Sequence, residues 1–68
     1  LSGVADLILL KSNRFYGALC IEMKKPGEYQ RPVQKEWQKE CEAAGNKYVV
    51  VRSLEEFIEV VNGYLAEI

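Results

Sequence analysis

Asp6, Glu22 and Lys24 are the residues whose types and spacing could do chemistry. Glu22 and Lys24 lie in Cys20-Ile21-Glu22-Met23-Lys24, which reads as the end of a β-strand. Alternate side chains of a strand share a face, so Glu22 and Lys24 project together while Leu19, Ile21 and Met23 point the other way. A carboxylate and an ammonium on an otherwise apolar strand are costly unless something there requires them. Sixteen residues before Glu22, Asp6 heads the apolar run Leu7-Ile8-Leu9-Leu10. An acid at the start of one strand and Glu-x-Lys at the end of the next suits metal-dependent phosphodiester hydrolysis. That reaction needs a divalent ion held in place, a polarised phosphate oxygen and an activated water. Magnesium and manganese prefer oxygen ligands and keep several waters, so Asp6, Glu22 and the backbone carbonyl of Met23 make a sufficient set. Lys24 would orient the water or stabilise charge on the phosphate. Gln34, which flanks the apolar stripe of the next helix, is expected to reach the same pocket.

Each of these residues also has a structural alternative. Asp6 can serve a turn or simply start a strand, Glu22 and Lys24 can form a same-face ion pair on an edge strand, and Gln34 can be a solvated helix residue. Lys25, Arg31, Lys35 and Lys39 form by default a solvated face; beside an active site they would contact phosphates. Trp37 and Tyr48 are expected in the core rather than as stacking platforms, and Tyr16, Tyr29 and Tyr64 carry no assignment.

The elements that must position these groups follow from pattern. Leu1 to Ala5 is a lead-in in which Gly3 permits a tight approach of the backbone. Asp6 to Lys11 reads as a strand, apolar on both faces and therefore central. Ser12-Asn13-Arg14 is turn-prone, and the short connection to a second strand, Phe15 to Lys25, predicts an antiparallel hairpin. Pro26-Gly27 ends that strand. Pro32 to Ala44 reads as a helix with Val33, Trp37, Cys41 and Ala44 as its apolar stripe and Gly45 as its stop. Lys47 to Arg52, with Val49-Val50-Val51, is a third strand able to pair in parallel after the helical crossover. Ser53 and Glu56 form a capping box for a last helix, buried through Leu54, Phe57, Ile58, Val61 and Leu65. The predicted order is ββαβα: an α/β domain with a small mixed sheet flanked by helices, covering residues 1–68.

Composition narrows the class. Sixty-eight residues make one small domain near the lower size limit for folding on its core alone. No stretch is long and apolar enough for a membrane span, and no signal-peptide pattern opens the chain. Two cysteines, Cys20 and Cys41, are too few for a disulfide framework and predict buried free thiols in a reducing, cytoplasmic setting. With no histidine, a structural zinc site is disfavoured. The net charge of −1 gives no global attraction to nucleic acid, yet five of the nine basic residues lie between positions 24 and 39, next to the candidate site. The chain opens at leucine, so an initiating segment is expected to have been removed or to lie outside it.

Gly3-Val4-Ala5-Asp6-Leu7, Ile21-Glu22-Met23-Lys24 and Gln34-Lys35-Glu36-Trp37, with Ala44-Gly45-Asn46-Lys47-Tyr48 leading into Val51-Arg52-Ser53, resemble the PD-(D/E)XK nuclease superfamily. Within it they look most like the virus-type replication-repair nuclease domain, VRR-NUC, over nearly the whole chain. The resemblance implies a restriction-endonuclease-like core and a magnesium- or manganese-dependent endonuclease acting, as a homodimer, on branched DNA such as four-way junctions. Small relatives are phage or bacterial proteins; larger ones serve DNA repair. On this reading Asp6 and Glu22 match the metal-binding acids, Lys24 the catalytic lysine and Gln34 the active-site glutamine. Ala5 stands where the superfamily has proline, and the family's N-terminal helix, which usually brings a further glutamate, is expected either to lie in a missing segment or to leave this chain incomplete as a catalyst. An edge left uncovered by that helix would favour dimerisation. The alternative from another class is a non-catalytic DNA-binding or assembly module retaining the fold, and a third is a small protein-interaction domain.

Overall fold

A computed structural model describes residues 5–68; the expected lead-in over residues 1–4, with Gly3, lies outside them. The element order is β1 (Leu7–Leu9), β2 (Leu19–Met23), α1 (Pro32–Ala43), β3 (Lys47–Val51) and α2 (Leu54–Leu65). The three strands form one sheet in the order β1-β2-β3. β1 runs antiparallel to β2 with Leu7 opposite Ile21, and β3 runs parallel to β2 with Glu22 opposite Val50. This is the predicted ββαβα arrangement with its mixed sheet.

The alternation in β2 decides how the helices pack. Leu19 and Ile21 join Val51 and Tyr64 in a buried cluster covered by α2 through Phe57, Val60 and Val61. Cys20 points to the opposite face and joins Tyr48 and Cys41, with Trp37 of α1 against them. Each helix therefore covers one face of the sheet, and Glu22, in phase with Cys20, belongs to the α1 layer. A one-residue slip in β2 would exchange the two layers completely, so its register is tightly specified.

Several expectations need correction. The central strand is β2, hydrogen-bonded on both sides; β1 is an edge strand of three residues, with Leu7 and Ile8 48% and 44% exposed. A continuous apolar run cannot by itself distinguish a central strand from an edge whose outer surface is apolar. The antiparallel pairing is as expected, but residues 10–18 form a longer irregular connection, not a tight hairpin. Asn13 organises it: its Oδ1 accepts from the backbone N–H groups of Phe15 and Tyr16, and its Nδ2 donates to the Tyr64 carbonyl. The Tyr64 hydroxyl in turn donates to the Lys11 carbonyl at 2.6 Å, which makes this unassigned tyrosine the tie between α2 and the loop.

The α2 stripe is also rotated from the expected one. Tyr64 is the buried member and Phe57, Val60 and Val61 are partly buried, whereas Leu54 is 70% exposed and Ile58 and Leu65 are also exposed. In α1, Cys41 is buried but Val33 and Ala44 are exposed. Ser53 caps α2 by accepting from the Glu56 N–H, while the Glu56 carboxylate reaches the Arg52 N–H instead of closing on Ser53. Gly45 stops α1 as predicted, at φ +89° with open space around its missing Cβ. Backbone conformation alone then sets the cost of a side chain there, and Gly45→Ala is expected to lower stability by about 1 kcal/mol in urea unfolding.

Cys20 and Cys41 are free and buried, as expected, with their sulfurs 3.7 Å apart. Burial foremost, then the hydrogen bond with Cys20, pushes the Cys41 thiol up to about 11 from 9.0. The folded chain thus holds this proton where the unfolded chain releases it. That contribution to stability is complete below pH 9 and is lost as pH rises toward 11. The urea midpoint should therefore fall over that interval, and Cys41→Ala should flatten the fall.

Candidate active site

Glu22 sits in the central strand, 1% exposed, one of the three largest fully buried side chains among the described residues. A buried carboxylate must be hydrogen-bonded or paired to be tolerated. Its two oxygens are treated differently. Oε1 accepts from the Tyr48 hydroxyl at 2.6 Å and from Gln30 Nε2 at 3.0 Å. Among the described residues Oε2 is buried with no hydrogen-bond partner, and Lys24 Nζ stands 3.7 Å from it. That separation is an ion pair through space, longer than a charge-assisted hydrogen bond. The Lys24 side chain is itself only 8% exposed, so the pair is held in a setting of reduced dielectric. Glu22 and Lys24 thus share one face, as alternation predicts, but on the central strand and buried. The same-face ion pair is present, and only its expected place on an edge strand is corrected.

Asp6 immediately precedes β1 and is exposed. Its Oδ2 accepts from the Met23 N–H at 2.6 Å, which fixes the carboxylate beside the residue following Glu22. Continuing the β1–β2 ladder by one residue beyond Leu7 and Ile21 would set Asp6 opposite Glu22. Met23 is therefore tied to this corner through its amide. The donors here are oxygens, and one of them, Glu22 Oε2, is buried and unpartnered; that chemistry fits a hard divalent cation. Among the described residues no group of three or more acidic, cysteine or histidine side chains is gathered to hold a metal.

Gln34 lies in the first turn of α1, as expected. It is buried, and its Oε1 accepts from the Arg31 N–H at 2.8 Å, securing the first turn of α1. Among the described residues it makes no hydrogen bond to Asp6, Glu22 or Lys24. The glutamine that touches Glu22 is Gln30, from the segment before α1, and Gln30 Nε2 also donates to Gln38 Oε1 at 3.0 Å. Tyr48 is in the core, as expected, but its bond to Glu22 was not foreseen, and Gln30 carries no expectation from the sequence. Tyr48 alternates in phase with Val50, which faces Glu22 across the parallel pair, and this was the signal available. Burial first, then the bond to Glu22, pushes the Tyr48 phenol well above its ordinary range, so it stays a neutral donor. Lys25, Arg31, Lys35 and Lys39 are all exposed, the last three recurring every four residues from the N-cap of α1 along the helix.

A mixed three-stranded sheet between two helices, with an acid ahead of β1 and Glu-x-Lys at the end of β2, is the arrangement that the resemblance to nuclease domains implies. No family model and no curated protein matches the chain. A solved structure described as a "VRR_NUC domain protein" does, with a TM-score of 0.92 and 31% identity over 97% of this chain. The chain is a VRR-NUC domain, as its motifs suggest, and it spans 55% of the length of that protein.

Proposed function

We propose that this domain is a metal-dependent DNA endonuclease whose centre is Glu22, Lys24 and Asp6. The observation that carries the reading is the Glu22 carboxylate: fully buried, anchored through one oxygen, and with its other oxygen free of hydrogen bonds beside Lys24. A site of this kind costs stability and suits a cation ligand. Glu22 Oε2 and the Asp6 carboxylate would hold magnesium or manganese, with the Met23 carbonyl as a third ligand. When bound, the ion supplies Lewis acidity toward a phosphate oxygen and a more acidic water. Lys24 orients the attacking water or neutralises charge growing on the phosphate. Gln34 would join this site through its amide nitrogen, since its carbonyl oxygen is committed to the start of α1.

For the substrate we propose DNA, with branched or four-way junctions preferred, bound through Lys25, Arg31, Lys35 and Lys39. Neutralising two phosphate contacts should flatten the salt dependence of binding by about two in the log–log slope. Lys35→Ala with Lys39→Ala is therefore expected to weaken binding similarly across sequences, read by fluorescence anisotropy at several salt concentrations. A homodimer is supported by the exposed β1 edge, where Leu7, Ile8, Leu9, Ile21, Phe57 and Val61 line an apolar groove.

The test is cleavage of a labelled four-way junction beside a linear duplex, in magnesium and in manganese, with a chelator control. Cleavage that needs the ion supports the reading, and junction preference supports the substrate. Absence of both cleavage and manganese binding would leave the non-catalytic module as the better account.

A further inference from the structure

The bonds around Glu22 divide its carboxylate into an anchored oxygen and a free one. Oε1 has two donors from different parts of the chain: the hydroxyl of Tyr48 on β3 and the amide of Gln30 from the segment preceding α1. The Gln30 amide is fixed in turn, because the same Nε2 donates to Gln38 Oε1, and Gln38 Nε2 donates to Glu42 at 3.4 Å. Only one orientation of the Gln30 amide serves both acceptors, since each needs a donor. Oε2, less than 2.5 Å away along the same carboxylate by ordinary covalent geometry, has no hydrogen bond among the described residues although it is buried. A carboxylate arranged without regard to a ligand would be expected to share its donors between both oxygens, since leaving one buried oxygen bare is costly.

Resting on the metal reading above, we propose that Tyr48 and Gln30 are positioning residues that hold Glu22 by Oε1, so that Glu22 meets the ion through Oε2 alone. The consequence is selectivity. One-oxygen ligation suits small octahedral ions that keep their waters, magnesium and manganese, whereas calcium readily takes both oxygens of a carboxylate. Releasing Oε1 should therefore lower manganese affinity, because Glu22 loses its fixed orientation, while calcium affinity holds or rises. A role confined to packing would move both ions together, or neither.

The experiment titrates Mn2+ and Ca2+ separately into the chain by calorimetry, for wild type, Tyr48→Phe, Gln30→Ala and Glu22→Gln, with thermal unfolding of each. Oriented ligands of this kind typically lose about tenfold to a hundredfold in affinity when their partner is removed. Tyr48→Phe and Gln30→Ala are each expected to bind Mn2+ about tenfold more weakly with Ca2+ affinity undiminished, so the preference between the two ions narrows. If both variants bind the two ions as wild type does while Glu22→Gln loses Mn2+, the positioning role is overturned and the metal reading stands. Equal losses for Mn2+ and Ca2+ would likewise overturn it in favour of a packing role. A wild-type chain that binds no Mn2+ would overturn the metal reading and this inference together. Gln30 is only partly buried and lies outside the helices and strands, so its variant carries the test should Tyr48→Phe fail to fold.

Discussion

Lys24→Gln is expected to reduce DNA cleavage about a hundredfold to a thousandfold while leaving manganese binding intact or stronger. Lys24 is the charge nearest the free oxygen of Glu22, 3.7 Å away, and its side chain is nearly enclosed. In that setting a positive group aimed at developing phosphate charge acts far more strongly than it would in water. Glutamine keeps a donor for Glu22 and so limits the loss of stability that a bare buried carboxylate would bring. It also removes an ammonium that competes with the ion for Oε2. Cleavage and metal binding should therefore separate in this variant, measured by single-turnover cleavage and by calorimetry. A merely structural ion pair predicts a lower melting temperature and unchanged cleavage.

Glu22→Leu combined with Tyr48→Phe should do the reverse: abolish manganese binding and make the domain more stable. Replacing buried charged groups by apolar ones of similar size often stabilises by roughly 1–4 kcal/mol. The two changes must be made together, because Glu22→Leu alone strands the Tyr48 hydroxyl, and a buried unpaired donor costs about 1–3 kcal/mol. Lys24 loses its partner but can extend toward water along its methylene stem. Total stability for a chain of this size is on the order of 3–10 kcal/mol, so the gain is a large fraction of it. Thermal unfolding should register it, at about 4–8 °C per kcal/mol. An equal or lower melting temperature would mean that the buried carboxylate contributes to the fold itself.

The elements were legible where pattern and chemistry agreed. Pro32 at the start of α1, Gly45 at its end, Ser53 capping α2 and the valines of β3 each act as local signals, and each stands where it was read. Strand order was not legible from β1, because Leu7-Ile8-Leu9 looks equally apolar at an edge or in the centre. In α2, periodicity alone allowed two neighbouring faces, and the hydrogen bond from Tyr64 to Lys11 across the loop favours the one that buries Tyr64. In the candidate site, Glu22 and Lys24 were readable from alternation within one strand. Gln30 and Tyr48 were not, since they meet Glu22 only after β3 has returned beside β2 and the loop before α1 has closed over it. Gln34 was read from its place beside the apolar stripe of α1, and the bond its Oε1 makes to the helix start has no signal in that pattern.

The measurement closest to the central claim is a crystal of the chain soaked in manganese and mapped by anomalous scattering. The account predicts a manganese peak about 2–2.2 Å from Glu22 Oε2 and bonded also to the Asp6 carboxylate, with Oε1 still held by Tyr48 and Gln30. A map with no peak at Glu22, and with Lys24 Nζ closed onto Oε2 as a direct hydrogen bond, would contradict it.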